Sequence, residues 1–202
     1  HWKLLVSILA VMTLYLVVII DMYDPQGSDL LQSLVSLKVS RDLMAAFGMK
    51  TVDPTLQGFL ATYLYGFLFL VVPMVVILNT GNRLVASLVD RGSMASILSS
   101  AVTRRQVAVT QAGFLLSLIV ILVLYATGLG WLYAQMRFPG IMRSASFLKL
   151  NGGLFMMLLT VGGFMFFASC LFNESRHALA LGAGLPVLML VVNMLVNYSD
   201  DL

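Results

Sequence analysis

The sequence predicts an all-α integral membrane protein, a polytopic helical bundle. Three observations carry this. Sixty per cent of the 202 residues are hydrophobic and only 10% are charged, where a soluble domain has about 45–50% and about 25%. The mean hydropathy is +0.96. Five stretches, residues 4–20, 56–78, 107–133, 152–172 and 178–197, contain no Asp, Glu, Lys, Arg or His. Each is near the roughly 17–25 residues a helix needs to cross the hydrocarbon core. None alternates apolar and polar residues as a barrel strand does, so helices are the form that satisfies the backbone in lipid.

Taken in order, residues 4–20 are long for a signal-peptide core and carry no small-residue cleavage site, so they read as a retained span. Residues 21–55 hold Asp21, Asp24, Asp29, Asp42 and Asp53 against Lys38, Arg41 and Lys50. Within them "LLQSLVSL" and "DLMAAFGM" space apolar residues helically, which predicts short amphipathic helices at the membrane interface, with turns at Asp24-Pro25 and Gly48. Pro54 suits the start of the second span. Residues 79–106 form a polar interruption between the second and third spans. "AQMRFPGIMRSASFLKLN", with a turn at Pro139-Gly140, joins the third to the fourth, and "NESRH" joins the fourth to the fifth. Pro73 and Pro186 fall inside spans, where they are expected to kink the helix. Gly128, Gly130, Gly152, Gly153, Gly162 and Gly163 are expected to permit close helix packing.

The two sides of the predicted bundle carry six Lys or Arg each, so the positive-inside rule ties. The side holding residues 79–106 has two acids against seven on the other, and this net charge favours placing it in the cytoplasm.

Composition also narrows function. The basic residues form no stripe and are not interleaved with aromatics, so nucleic acid is not an expected partner. The single cysteine, Cys170, allows no disulfide within the chain, and His1 and His177 have no acids clustered with them, so no metal site is expected. Ion-coupled carriers and intramembrane enzymes use ionisable groups at membrane depth, and the spans have none. Ser117 and Thr127 have no base at catalytic spacing and suit bonds to their own helix backbone. The 13 methionines could line a path for varied apolar molecules, although packed or lipid-facing side chains account for them as well. With no phosphate-cradling loop in the chain, energy for any driven process would come from another subunit.

The polar interruption is the most informative segment. Leu84, Val85, Leu88 and Val89 recur at helical spacing, Gly92 interrupts, Ser93 can cap a following helix, and Met94, Ile97, Leu98 and Ala101 make a second stripe. Two short amphipathic helices joined at "DRGS" are predicted, followed by "VTRRQ" leading into the third span. Short helices of this kind are marginal alone and need a partner surface.

The order Asp90-Arg91-Gly92-Ser93-Met94, then "ILSS", then Ala101-Val102-Thr103-Arg104-Arg105, resembles the first cytoplasmic loop of the permeases of type-2 ABC exporters, with Ala101 in place of the family's usual proline. "MYDP", "LMAAFGM" and "GFLATYLYG" resemble the first outer segment and second span of bacterial members. "ASCLFNESRHALALGAGLPVLMLVVNML" resembles their fourth-to-fifth span region. The resemblance implies a single permease domain over residues 1–202, in the plasma membrane of a bacterium. It also implies an extracellular segment 21–55, a cytoplasmic coupling segment 79–106, a sixth span after Leu202 and an interfacial helix before His1. It further implies two cytoplasmic ABC ATPase subunits that bind ATP and magnesium, and a second permease chain, identical or not. The chain itself would have no catalytic site and no cofactor. Asp90, Arg91, Gly92, Ser93, Met94 and Ile97 are then expected at the ATPase-docking surface. Arg104 and Arg105 would fix the loop at the inner membrane face or touch the ATPase directly. The expected activity is export of an amphipathic or hydrophobic substrate such as a peptide, antibiotic or lipid. A non-transporting membrane scaffold or sensor subunit is the alternative of a different class.

Overall fold

The computed structural model describes residues 2–21, 23, 56–65, 68–90, 92, 103–172 and 174–199, all helical apart from short links, with no β-strand among them. Helix α1 is Trp2–Asp21. Helix α2, Leu56–Phe59, passes into a π-helical stretch, Leu60–Leu64. Then come α3 (Leu68–Leu84), α4 (Ala86–Asp90), α5 (Arg104–Arg137), α6 (Ser144–Leu171) and α7 (Ser175–Ser199). Among the described residues, four helical segments are long and apolar enough to cross a membrane: Phe69–Asp90, Arg105–Arg137, Ser144–Leu171 and Ser175–Val192. Val6–Asp21 is a shorter apolar helix. The chain therefore has the character of a multi-pass helical membrane protein.

Element boundaries differ from the sequence reading in an orderly way. The expected second span, 56–78, is not one α-helix. Tyr65 N–H bonds to Leu60 O at 3.1 Å, a five-residue step that closes the π turn, and α-helix resumes at Leu68. The remaining long helices overrun their apolar stretches. Helix α5 begins at Arg104 rather than at 107 and ends at Arg137 rather than at 133. Helix α6 begins at Ser144 rather than at 152, and α7 takes up most of the expected "NESRH" link as its first turn. The physical reason is that a helix continues as long as its backbone bonds continue, whereas hydropathy marks only the part suited to lipid. Helix α5 stops where Pro139 offers no N–H and Gly140 turns at φ 80°.

The described residues group into two compact units. The first draws on His1–Val72, Leu124–Gly152 and Leu190–Leu202. Its interior holds Leu16, Ile20, Leu56, Leu60, Leu64, Phe69 and Phe147, all nearly inaccessible. Gly130 lets α5 approach α1 and α6, since a Cβ there would lie 2.8 Å from Phe147 Cζ and 3.2 Å from Leu16 Cδ1. Several polar side chains described in this unit are paired. Tyr65 donates to Asn151 Oδ1 at 2.9 Å, and Asn151 Nδ2 donates to Phe147 O at 3.0 Å. Thr13 donates to Leu9 O at 2.7 Å, so its single hydroxyl proton is committed, and Tyr125 is left to donate to Thr13 Oγ1 at 2.6 Å. At the ends of α1 and α5, Asp21 accepts from Tyr133 at 2.9 Å and from Arg137 Nε at 3.2 Å. Tyr23 stacks edge-on to Phe138 and tilted against Phe59.

The second unit draws on Pro73–Val123 and Gly153–Met189. Ile77, Leu115, Ile119, Leu122, Leu158, Met165, Ala168 and Ala178 fill it. Its helices meet through glycine. A Cβ on Gly81 would come within 2.9 Å of Met165 Cγ, one on Gly182 within 2.6 Å of Met165 Sδ and 3.0 Å of its Cα, and one on Gly162 within 3.0 Å of Ile119 Cδ1. Lipid tails are as apolar as Leu, so burial alone does not hold helices together in a bilayer and close van der Waals fit of this kind does.

Candidate functional site

The candidate site is the polar stretch 79–106, of which residues 79–90, 92 and 103–106 are described. Its first part is not a free-standing amphipathic helix. Helix α3 runs on through Arg83 to Leu84, and Val85 O accepts from both Leu88 N and Val89 N at 3.0 Å, which carries the chain directly into α4. Val85 and Ala86 are buried, so α4 is seated against the rest of its unit. Asp90 is exposed at the end of α4.

Gly92 then stops the helix. Its N–H bonds to Val89 O at 2.9 Å and its φ is +72°, the left-handed conformation that follows many helix C-termini and that glycine adopts without penalty. Nothing lies within 4 Å of where its Cβ would be, so conformation and not space selects glycine here. Arg91, Ser93, Met94 and Ile97, and with them the expected second short helix, lie outside the described residues.

The far end of the stretch is closed by a cap. Thr103 N–H donates to Gln106 Oε1 at 2.9 Å, Thr103 Oγ1 donates to the same oxygen at 3.0 Å, and Gln106 N–H donates back to Thr103 Oγ1 at 3.3 Å. This is a reciprocal capping box at the start of α5. Its sequence signature, a Thr followed three residues later by Gln, was legible in "TRRQ". Arg104 and the exposed Arg105 occupy the first turn of α5. Cations there face the positive end of the helix dipole, an interaction of about 0.3–1 kcal/mol in the unfavourable sense. The helix dipole therefore gives no reason for two arginines at this position.

Sequence reading missed a second set of residues, just before this stretch leaves α3. Asn82 is 4% exposed and Ser169 1% exposed. Asn82 Nδ2 donates to Ser175 Oγ at 2.7 Å, and Ser169 Oγ donates to Gly81 O at 3.1 Å. The two bonds tie α3 to the start of α7 and to the end of α6. Asn82 Oδ1 is buried with no donor among the described residues. Exchanging the amide oxygen and nitrogen would only move the deficit to the nitrogen, since Ser175 offers one hydroxyl. A buried polar atom left unmatched costs about 1–3 kcal/mol. Asn82 falls four residues after Leu78 and four before Ala86, on a stripe that the structure buries and that nothing in so apolar a sequence distinguishes from its neighbours.

Among the described residues, no group of three or more His, Cys, Asp or Glu is placed to hold a metal ion. His177 Nδ1 and Glu174 Oε2, 3.2 Å apart, form an exposed pair beside the first turn of α7. No protein-family model, curated protein or solved structure matches the chain.

Proposed function

We propose that this chain is the transmembrane permease subunit of an ATP-driven exporter of the type-2 ABC class, working with a second permease chain and separate cytoplasmic ATPase subunits. The observation that carries the reading is the delimited polar stretch between two apolar helices. A left-handed Gly92 ends α4 on one side, and the Thr103–Gln106 box begins α5 on the other. The ordered likeness of residues 90–105 to the family's coupling loop gives this stretch its partner. A segment that must pass force between a soluble motor and membrane helices works best when both ends are fixed to rigid helices, and helix stops of this kind fix them.

In this reading α1 is a fifth span. Its 20 residues, about 30 Å at 1.5 Å per residue, match the hydrocarbon thickness. Residues 79–106 face the cytoplasm of a bacterium, and Asp90, Arg91, Gly92, Ser93, Met94 and Ile97 meet the ATPase. Arg104 and Arg105 sit at the level of lipid phosphates or reach the ATPase. ATP and magnesium belong to the partner. ATP binding there closes the ATPase pair, displaces the polar stretches, and shifts the spans as rigid bodies to open an outward path for an amphipathic or apolar molecule.

The test is purification of the full-length protein from its native membrane in mild detergent. An ATPase subunit with a phosphate-binding loop is expected to accompany it. Recovery of the chain without one removes the exporter reading and leaves a scaffold or sensor subunit.

A further inference from the structure

The pair that joins α3 to α7 goes beyond docking, because it says where movement would travel after the ATPase has pulled on the polar stretch. Asn82 lies about two helical turns before Asp90 along α3 and α4, so it is the last buried polar side chain before the chain reaches the candidate docking residues. Its bond to Ser175 reaches the first residue of α7 at 2.7 Å. One residue earlier, Gly81 presents its carbonyl to Ser169 and its bare face to Met165. Met165 is fully buried and also closes on Gly182 of α7. Helices α3 and α7 therefore share one α6 side chain between two glycines, with a directional hydrogen bond beside it.

Packed apolar side chains can slip past one another, but a short hydrogen bond, here partly buried, tolerates little displacement before it weakens. The unmatched Asn82 Oδ1 points the same way. An apolar residue of similar size would fill this place with no orphaned acceptor, so packing alone does not account for asparagine. We propose that the Asn82–Ser175 hydrogen bond is the link through which movement of the 79–106 stretch reaches α7, making both side chains positioning residues of the exporter. This rests on the exporter reading above.

The test is hydrogen–deuterium exchange on the full-length permease–ATPase complex in lipid nanodiscs, with and without ATP, magnesium and vanadate. In the wild type, the nucleotide is expected to change exchange both in α4, residues 86–90, and at the start of α7, residues 175–182. In Asn82→Leu and in Ser175→Ala the α4 response persists, while the α7 response falls by about fivefold or more, the scale of a typical coupling between sites. The double variant Asn82→Ser with Ser175→Asn restores it by rebuilding the bond in reverse. Asn82→Leu is expected to melt no lower than wild type, which separates transmission from loss of fold. Should it not assemble, Ser175→Ala, which removes one hydroxyl, gives the same reading. An undiminished α7 response in Asn82→Leu or Ser175→Ala overturns the link while leaving the exporter intact. A wild-type α4 that ignores the nucleotide, or a chain without an ATPase, overturns both.

Discussion

At the scale of the residue, the glycines divide by what surrounds them, and the division makes sharp predictions. Gly182 faces Met165 at distances that no Cβ can occupy without movement, including 3.0 Å to backbone. Gly182→Ala is expected to lower stability by about 1–3 kcal/mol through overpacking, read as a drop in melting temperature in detergent. Gly184 and Gly113 have nothing within 4 Å, so alanine there is expected to leave the melting temperature unchanged or raise it. Equal effects at Gly182 and Gly184 would mean that the close approach of α7 to α6 is wrong. Gly92 is a third kind. It has open space but a φ of +72°, so Gly92→Val is expected to cost about 1–2 kcal/mol through backbone conformation alone. Gly92→Asn should be milder, since asparagine tolerates that region. Under the exporter reading, Gly92→Val also lowers export per ATP hydrolysed, and unchanged coupling would remove the segment's role. Sequence identified Gly92 because a glycine after a polar helical stretch is a strong local signal. It could not sort Gly182 from Gly184, because that depends on which side of α7 meets Met165.

At the scale of the element, caps and breaks set where helices begin and end, and they are only partly visible in hydropathy. The Thr103–Gln106 box satisfies donors that would otherwise be bare at the start of α5. Thr103→Ala is expected to cost about 1 kcal/mol and to show as faster amide exchange over residues 105–108, with Gln106→Ala giving a similar local effect. No change in exchange there would show that the cap is not holding the helix. The π-helical stretch Leu60–Leu64 is the opposite case. Its sequence, "LATYL", is as apolar as its neighbours, and nothing in its spacing marks the extra residue in the turn. Leu60 and Leu64, which bound it, are both fully buried, so the altered turn lies against the interior. For the same reason, the continuity of α3 into α4 was not legible. The sequence predicts a separate short amphipathic helix here, yet backbone bonds to Val85 O run it on from α3.

For the molecule as a whole, alternation of spans predicts sidedness. Under the five-span reading, cysteines introduced at Asp90 and Arg105 should react with a membrane-impermeant maleimide from one side only, and those at Arg137 and Ser144 from the other. Labelling of positions 105 and 137 from the same side would mean that α5 does not cross. Helix α5 has 34 residues, about 50 Å long, well beyond the roughly 30 Å of hydrocarbon, so its ends project into or past the headgroups or the helix tilts. The pairing of Asp21 with Arg137 and Tyr133 stands at one such end. Both Asp21 and Arg137 are substantially exposed, at 45% and 59% of their side-chain surface. Asp21→Asn is therefore expected to cost no more than about 1 kcal/mol and to matter less at high salt, measured by thermal melts across a salt series.

The sequence alone determined that this protein has the composition of a multi-pass membrane protein, with several runs long and apolar enough to cross a bilayer, because the demand of a bilayer on composition is local: a run of about 20 residues without charge answers it wherever it occurs. It also marked residues 79–106 as the exceptional segment, because polar residues between spans stand out against an apolar background. Tertiary structure decided which glycines are contact points, where the second span changes its turn, and that Asn82, Ser169 and Ser175 join α3, α6 and α7. Those depend on which faces of different helices come together, and in a chain this uniformly apolar no periodic contrast along the sequence records that choice.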